Sequence, residues 1–199
     1  MTERLVVIGG DAGGMAAASG VRRARPDLEI VVLEKGVRTS YAACGIPYHV
    51  SGEVDDVERL VARAPEVFRA KQDIDVRLRH EATAIDVTAR TVEARDLDGG
   101  EAGTVEVDQL TIGTGARPIV PPWSGIGSPG VHLVHTLADA SAIAALAADV
   151  SGRRVAVVGG GYIGVEMAEA FVQRGALVTV FDMAPQLLRN LDPDMAAPL

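Results

Sequence analysis

The chain has one cysteine, Cys44, in the run Ser40-Tyr41-Ala42-Ala43-Cys44-Gly45-Ile46-Pro47-Tyr48. One thiol excludes an internal disulfide framework and an intramolecular Cys-Cys redox pair. Redox chemistry at Cys44 would therefore need an external thiol or a sulfenic acid as its oxidised form. A lone cysteine is usually a small buried hydrophobe. A short helix beginning near Cys44 would change that expectation, because the positive end of a helix favours the thiolate that attacks a disulfide.

Two glycine loops stand on either side of this run. Gly159-Gly160-Gly161-Tyr162-Ile163-Gly164 satisfies G-x-G-x-x-G directly after an apolar run and before a helical pattern. Such a loop gives a tight turn, close backbone approach to a pyrophosphate, and a helix N-terminus whose N–H groups and dipole favour the anion. Asp182 follows Gly164 by eighteen residues, where a carboxylate can accept hydrogen bonds from an adenosine ribose. The first loop, Gly9-Gly10-Asp11-Ala12-Gly13-Gly14, is less regular, with Asp11 in the middle glycine position. Glu34 lies twenty residues after Gly14 at the same ribose-acid position, and Gly13-Gly14 still permit close helix packing. Two such units imply two dinucleotides, and the simplest reason to bind two is electron transfer between them.

The elements that must position these residues follow from hydrophobic patterning. Leu5 to Ile8 is a buried-strand run, Ala12 to Arg25 an Ala-rich helix ended by Pro26, and Glu29 to Leu33 a second strand. Together they have the dimensions of one βαβ unit. Leu60 to Ala62 reads as a short strand and Pro65 to Lys71 as a short helix. Val76 to Val87, Thr91 to Leu97 and Thr104 to Ile112 read as an antiparallel meander. Arg117 to Pro129 carries four of the ten prolines and marks a boundary. Ala138 to Ala148 is helical, with Ile143 and Leu146 on one face. Arg154 to Val158, the second loop, Ile163 to Arg174 and Leu177 to Phe181 then repeat the opening arrangement.

Composition fits this α/β reading. Aromatic content is only 4% while Gly reaches 22, Ala runs are frequent, and Val and Ile cluster in short blocks, a mixture suited to parallel strands packed on helices. A formal charge of -8 with few aromatics argues against nucleic acid as a partner. The start of the chain lacks a charged region and cleavage site, and its longest apolar stretch is about half of what a bilayer crossing needs. A cytoplasmic protein without membrane insertion is expected. His49, His80, His132 and His135 show no metal-ligand spacing, so no metal is assigned.

These residues resemble the pyridine nucleotide-disulfide oxidoreductases, in which an NAD(P)H domain is inserted into an FAD domain. The resemblance spans the whole chain. It is carried by the N-terminal loop with Glu34-Lys35, by Leu110-Thr111-Ile112-Gly113-Thr114-Gly115-Ala116-Arg117-Pro118, and by the Gly159 to Glu166 segment. It implies that the first unit binds FAD, with Thr114 and Gly115 touching the flavin nucleotide, and that the second binds NAD(P)H. Within the family, the Cys44 segment looks like the single-cysteine branch of coenzyme A-disulfide reductases, NADH oxidases and NADH peroxidases, and is most similar to the first. Three positions depart: Ala43 stands where that group has Asn, and Ala16 and Gly20 replace polar residues of the first helix. Ala12 replaces the peroxidases' loop histidine, which disfavours a peroxidase.

The implied chemistry carries electrons from NADH through flavin to a Cys44 mixed disulfide, releasing a small thiol such as coenzyme A. Tyr162 matches the family tyrosine that covers the flavin, and Glu166 would orient the nicotinamide amide. Arg22, Arg23, Ser40 and Lys71 are candidates for an anionic substrate, with a solvated surface as the competing reading. NADH is expected over NADPH, because Asp182 would repel a 2′-phosphate and Met183, Ala184 and Pro185 supply no cation. An NADH oxidase using the same cysteine is the alternative enzyme, and a flavin- and NADH-binding sensor without turnover the alternative of another class.

The expected fold is α/β, with two Rossmann-like dinucleotide-binding units and an antiparallel β-meander on the first. Residues 1–117 would form an incomplete FAD-binding domain and 118–199 the start of an NAD(P)H-binding domain. The family's C-terminal part is expected to be absent, leaving an uncovered apolar sheet edge and an inactive fragment of a protein that is a homodimer at full length.

Overall fold

The computed structural model describes residues 2–198. In chain order its strands and α-helices are β1 (Arg4–Ile8), α1 (Ala12–Ala24), β2 (Glu29–Glu34), α2 (Ile46–Ser51), α3 (Pro65–Gln72), β3 (Ile74–Leu78), β4 (His80–Asp86), β5 (Thr91–Asp96), β6 (Ala102–Glu106), β7 (Gln109–Ile112), α4 (Leu137–Ala147), β8 (Arg154–Val158), α5 (Tyr162–Gln173), β9 (Leu177–Phe181) and α6 (Pro193–Ala196). They form two compact units. One comprises the chain up to Tyr41 with Val61–Ala116, the other Ala42–Leu60 with the chain from Arg117 on.

In the first unit a parallel sheet has the order β3-β2-β1-β7. Side chains alternate across a strand, so a strand covered on both faces reads as continuously apolar. That is what β1 and β2 show. Leu5, Val7, Ile30 and Val32 pack against Met15 and Ala18 of α1 and Phe68 of α3. The intervening Val6, Ile8, Val31 and Leu33 pack against Val92, Ala94 and Val105 of the meander β4-β5-β6.

The α/β architecture and the meander are therefore as the sequence indicates, but the meander is shorter at both ends. The segment 76–87 breaks at Arg79, whose φ of 59° is left-handed. Residues before the break belong to β3, which pairs parallel with β2 through Ile74, Val76 and Leu78. The segment 104–112 divides likewise, and β7 pairs parallel with β1. Leu60 to Ala62 is not a strand: Val57–Leu60 is a 3-10 turn, and Val61 makes a single bridge to Tyr41.

In the second unit β8 and β9 pair in parallel, and α5 buries Met167 and Ala170. The opposite positions Val158 and Phe181 are more than half exposed. Residues 42–60, which lie inside the 1–117 segment, pack here: α2 buries Ile46 and Val50 and lies against α4 and α5. Helix α4 buries Leu137, Ala140, Ile143 and Ala147, whereas Leu146 is half exposed and off that face. No helix of the described residues is long and apolar enough to cross a membrane.

Candidate functional site

In the first unit, the loop between β1 and α1 is closed by backbone contacts that leave no room for side chains. Gly9 has φ of 104°, open to glycine at little cost. Its N–H donates to the Leu33 carbonyl at 2.8 Å, and a Cβ there would lie 2.1 Å from the Gly113 oxygen. A Cβ on Gly14 would lie 1.8 Å from the Gly9 oxygen. The backbone of Thr114 also borders Gly9, while Gly115 is left-handed at φ 69°. Glu34, at the end of β2, accepts from the Gly10 N–H at 2.6 Å and from the Gly36 N–H at 2.6 Å. Both oxygens are thereby fixed at the loop with lone pairs to spare for hydroxyl donors. Asp11, which breaks the glycine pattern, accepts from the Tyr41 N–H at 3.2 Å.

The second unit repeats this arrangement. Gly159 has φ of 110°, its N–H donates to the Phe181 carbonyl at 2.8 Å, and a Cβ on Gly164 would lie 1.7 Å from the Gly159 oxygen. Asp182 accepts from the Gly160 N–H at 2.5 Å and the Ala184 N–H at 2.6 Å. Those two donors hold its carboxyl below the usual range, and the Arg189 charge adds to the effect.

The N-termini of α1 and α5 have no side-chain cap and no acid in the first turn. Helix α4 is closed instead by a Thr136–Asp139 capping box. An uncapped N-terminus behind a glycine loop leaves N–H donors and the positive dipole end to a bound anion. Both loops thus fit the pyrophosphate of a dinucleotide. Ala12, Gly13, Gly161 and Ile163 lie exposed around them, as do Lys35 and Glu166. Tyr162, the first residue of α5, is 56% exposed, and its hydroxyl accepts from the Asn190 side-chain amide at 2.8 Å.

Cys44 is exposed in a 3-10 turn, Ala43–Gly45, and α2 starts two residues later with Pro47 in its first turn. The helix expected near the thiol is present. Gly45 is buried, and a Cβ there would lie 2.3 Å from Leu60 Cδ2, so the turn seats closely on Leu60. Arg174, following α5, donates from Nε to the Val50 carbonyl at 3.0 Å and fixes the far end of α2.

Arg22, Arg23 and Lys71 line one cavity of about 440 Å³ with Ser19 and Gln72 in the first unit, but Ser40 does not. The Arg22 guanidinium is already committed to the carbonyls of Pro26 at 2.8 Å and Asp73 at 2.7 Å. Arg23 and Lys71 are exposed. Ser40 instead donates its N–H to the Gly10 carbonyl at 3.2 Å, beside a Thr39 hydroxyl donating to the same oxygen.

Sequence patterning overlooked how far the repeat continues. Ser40 has φ of 51°, and six residues beyond the second acid Leu188 has φ of 45° and donates its N–H to the Gly160 carbonyl at 2.7 Å. This loop also brings Arg189 into electrostatic reach of Asp182. The available signal was Arg189 itself, the first cation after the acid.

The model of the family described as pyridine nucleotide-disulphide oxidoreductase matches residues 3–199. An NAD(P)H sulfur oxidoreductase (CoA-dependent) of Pyrococcus abyssi is 41% identical over 94% of this chain and 41% of its own length. The reduced CoADR-RHD of Bacillus anthracis is 32% identical with a TM-score of 0.93, covering 100% of this chain and 36% of that one. A water-forming NADH oxidase from Lactobacillus brevis bound to NADH is 31% identical with a TM-score of 0.91, covering 98% of this chain and 43% of that one. An engineered mutant of that oxidase is a water-forming NADPH oxidase bound to NADPH, 31% identical with a TM-score of 0.90 over the same 98% and 43%. Its five substitutions are a glycine to alanine, an aspartate eighteen residues later to alanine, arginine and serine at the two positions that follow the aspartate, and an arginine seven residues beyond it. The chain spans less than half the length of each of these proteins. With a family match across nearly every residue and a fold shared with solved oxidoreductases, the chain belongs to the pyridine nucleotide-disulphide oxidoreductase family.

Proposed function

We propose that this chain supplies the FAD- and NADH-binding elements and the reactive thiol of an enzyme that reduces a small disulfide, coenzyme A disulfide foremost. The observation that carries the reading is the repeated glycine-loop and acid geometry joined in one chain to an exposed Cys44 at a helix start. Gly9 to Gly14 and the start of α1 would hold the FAD pyrophosphate and Glu34 its ribose, with Lys35, Thr114 and Gly115 bordering the same nucleotide. Gly159 to Gly164 and Asp182 would hold NADH in the same manner. Bound FAD supplies the two-electron relay between nicotinamide and thiol. Tyr162 shields the nicotinamide position until the nucleotide arrives, and Glu166 stands one helical turn further on to orient its amide. The Cys44 thiolate would attack one sulfur of the substrate disulfide, expelling the first small thiol and forming a mixed disulfide, which two electrons originating from NADH and two protons would split into the Cys44 thiol and the second small thiol.

Coenzyme A as the thiol is supported by the CoA-dependent naming of the Pyrococcus relative. The cavity of Arg23 and Lys71 offers cations suited to a phosphorylated substrate. The Lactobacillus brevis oxidase favours a second reading, in which the same thiol passes electrons to oxygen. The two separate in one experiment on the full-length protein. NADH is added without air until the flavin bleaches, then coenzyme A disulfide or oxygen is introduced. Rapid return of the yellow colour with disulfide, and release of coenzyme A, is the expected result. Fast reoxidation by oxygen alone would favour the oxidase, and a flavin that NADH never bleaches would leave the sensor reading.

A further inference from the structure

Helix α2 has six residues, too few for a helix to hold itself in water, so its orientation is set by what it touches. Its buried Ile46 and Val50 supply apolar contacts, which are non-directional. We infer that Arg174, at the end of α5, is the positioning residue for Cys44: its guanidinium closes the C-terminus of the helix whose start carries the thiol. The inference rests on the reading of Cys44 as the reactive thiol.

The carbonyls at the end of α2 show how the helix is held. Tyr48 accepts from the Val54 N–H at 3.0 Å and from the Ser51 hydroxyl at 3.0 Å, and His49 accepts from the Gly52 N–H at 3.2 Å. The buried His49 ring bonds through Nδ1 to the Val54 carbonyl at 2.8 Å. These donors belong to α2 itself or to the residues just after it, so they move with the helix. Val50 is different. Its carbonyl accepts at 3.0 Å from Nε of Arg174, 124 positions further along the chain. Gly52 makes room for that contact: its φ is 90°, and a Cβ there would lie 2.5 Å from Arg174 Nη2 and 2.8 Å from Cζ. The cation thus packs on the end of α2, where it also opposes the negative end of the helix dipole.

The main chain that carries Arg174 is fixed. Gly175 takes φ of 81° and gives its N–H to the Val172 carbonyl at 2.8 Å, while Ala176 gives its N–H to the Phe171 carbonyl at 3.0 Å. This pair of bonds is a Schellman closure, which ends α5 at Arg174. The Gly175 carbonyl accepts from the Gly152 N–H at 2.8 Å, and Leu177 begins β9 by donating to the Arg153 carbonyl at 2.8 Å. At the other end of α2, Ala42 donates its N–H to the Leu60 carbonyl at 2.8 Å and Gly45 seats on the Leu60 side chain. The thiol turn therefore pivots on Leu60, and Arg174 sets the angle at which α2 leaves it. Releasing Arg174 would let the turn swing and carry the Cys44 sulfur off the line of attack on a disulfide. Hydride delivery from NADH does not use the thiol and would be untouched.

The test separates the two half-reactions of the full-length protein without air: bleaching of the flavin by NADH, then return of its colour with coenzyme A disulfide. Arg174→Met keeps the length of the side chain and removes its donors and charge. It should slow the return of colour by about ten- to a hundredfold, the cost of misplacing a reacting group by about 1 Å, and leave bleaching within about twofold of the parent. Arg174→Lys restores a charged donor for the Val50 carbonyl and should bring the return to within about fivefold of the parent. Thermal melts accompany each variant. An Arg174→Met protein that regains its colour at the parent's rate would overturn the inference. So would one that slows both half-reactions alike, or a lysine variant that restores the melt and not the rate, since either result would make Arg174 a stabilising residue only. Cys44→Ser is measured in parallel, and an unchanged return of colour there would instead overturn the reading of the thiol itself.

Discussion

Gly14→Ala is expected to strip FAD from the protein, lowering its content to about a tenth or less of stoichiometric. The added methyl would sit 1.8 Å from the Gly9 oxygen and 3.1 Å from Val7 Cγ1. Neither neighbour can move aside cheaply. Gly9 is tied to Leu33 at 2.8 Å and is crowded from behind by the Gly113 carbonyl, whose own residue is tied to Ile8 at 2.7 Å. The loop must shift as backbone, and with it the N–H groups that would face a pyrophosphate. Overpacking of this kind costs about 1–3 kcal/mol of stability, so the melting temperature should fall as well. Flavin absorbance per protein after gel filtration measures the first effect. Gly13→Ala separates loop packing from helix propensity: a Cβ there meets nothing within 4 Å, and Ala is the better helix former. Its melting temperature should hold or rise.

Cys44→Ser is expected to abolish disulfide reduction, by at least about a thousandfold in kcat, as removal of a nucleophile does in covalent mechanisms. The hydroxyl is isosteric enough for the turn Ala43–Gly45, where Cys44 is exposed and the buried residue is Gly45. The fold, the flavin content and the bleaching of flavin by NADH should therefore survive. Loss of all three together would mean that the substitution acts on structure, and undiminished turnover would remove the thiol from the mechanism.

The glycine loops and their acids were legible because steric constraint writes them in residue types. A position where a Cβ would overlap a carbonyl oxygen, as at Gly14 and Gly164, accepts only glycine. Glu34 and Asp182 were equally plain, since a strand end facing backbone N–H groups asks for a carboxylate. The division of 74–86 between two sheets was not legible. Alternation continues through it, and the break depends on Arg79 taking a left-handed conformation that nothing in its type announces. The same holds for Ser40 and Leu188, whose left-handed backbones aim their N–H groups at the glycine-loop carbonyls. Arg189 was missed because the residues next to the acid, Met183 to Pro185, carry no charge, and only the fold of the following loop returns a cation to Asp182. The packing of residues 42–60 with the second unit is likewise a tertiary choice, made by Ile46 and Val50 finding α4 and α5.

The claim at the centre is that electrons from NADH arrive at Cys44. The most direct measurement is the state of that thiol across one turnover, followed by mass spectrometry of the intact full-length protein. The protein is first loaded with coenzyme A disulfide, then treated with one equivalent of NADH without air. Two electrons and two protons split the Cys44 mixed disulfide into a cysteine thiol and free coenzyme A. The predicted result is loss of one coenzyme A from the protein mass, one coenzyme A in solution, and a Cys44 that afterwards reacts with an alkylating reagent. A flavin that bleaches while the mass stays unchanged and Cys44 stays blocked would contradict the account.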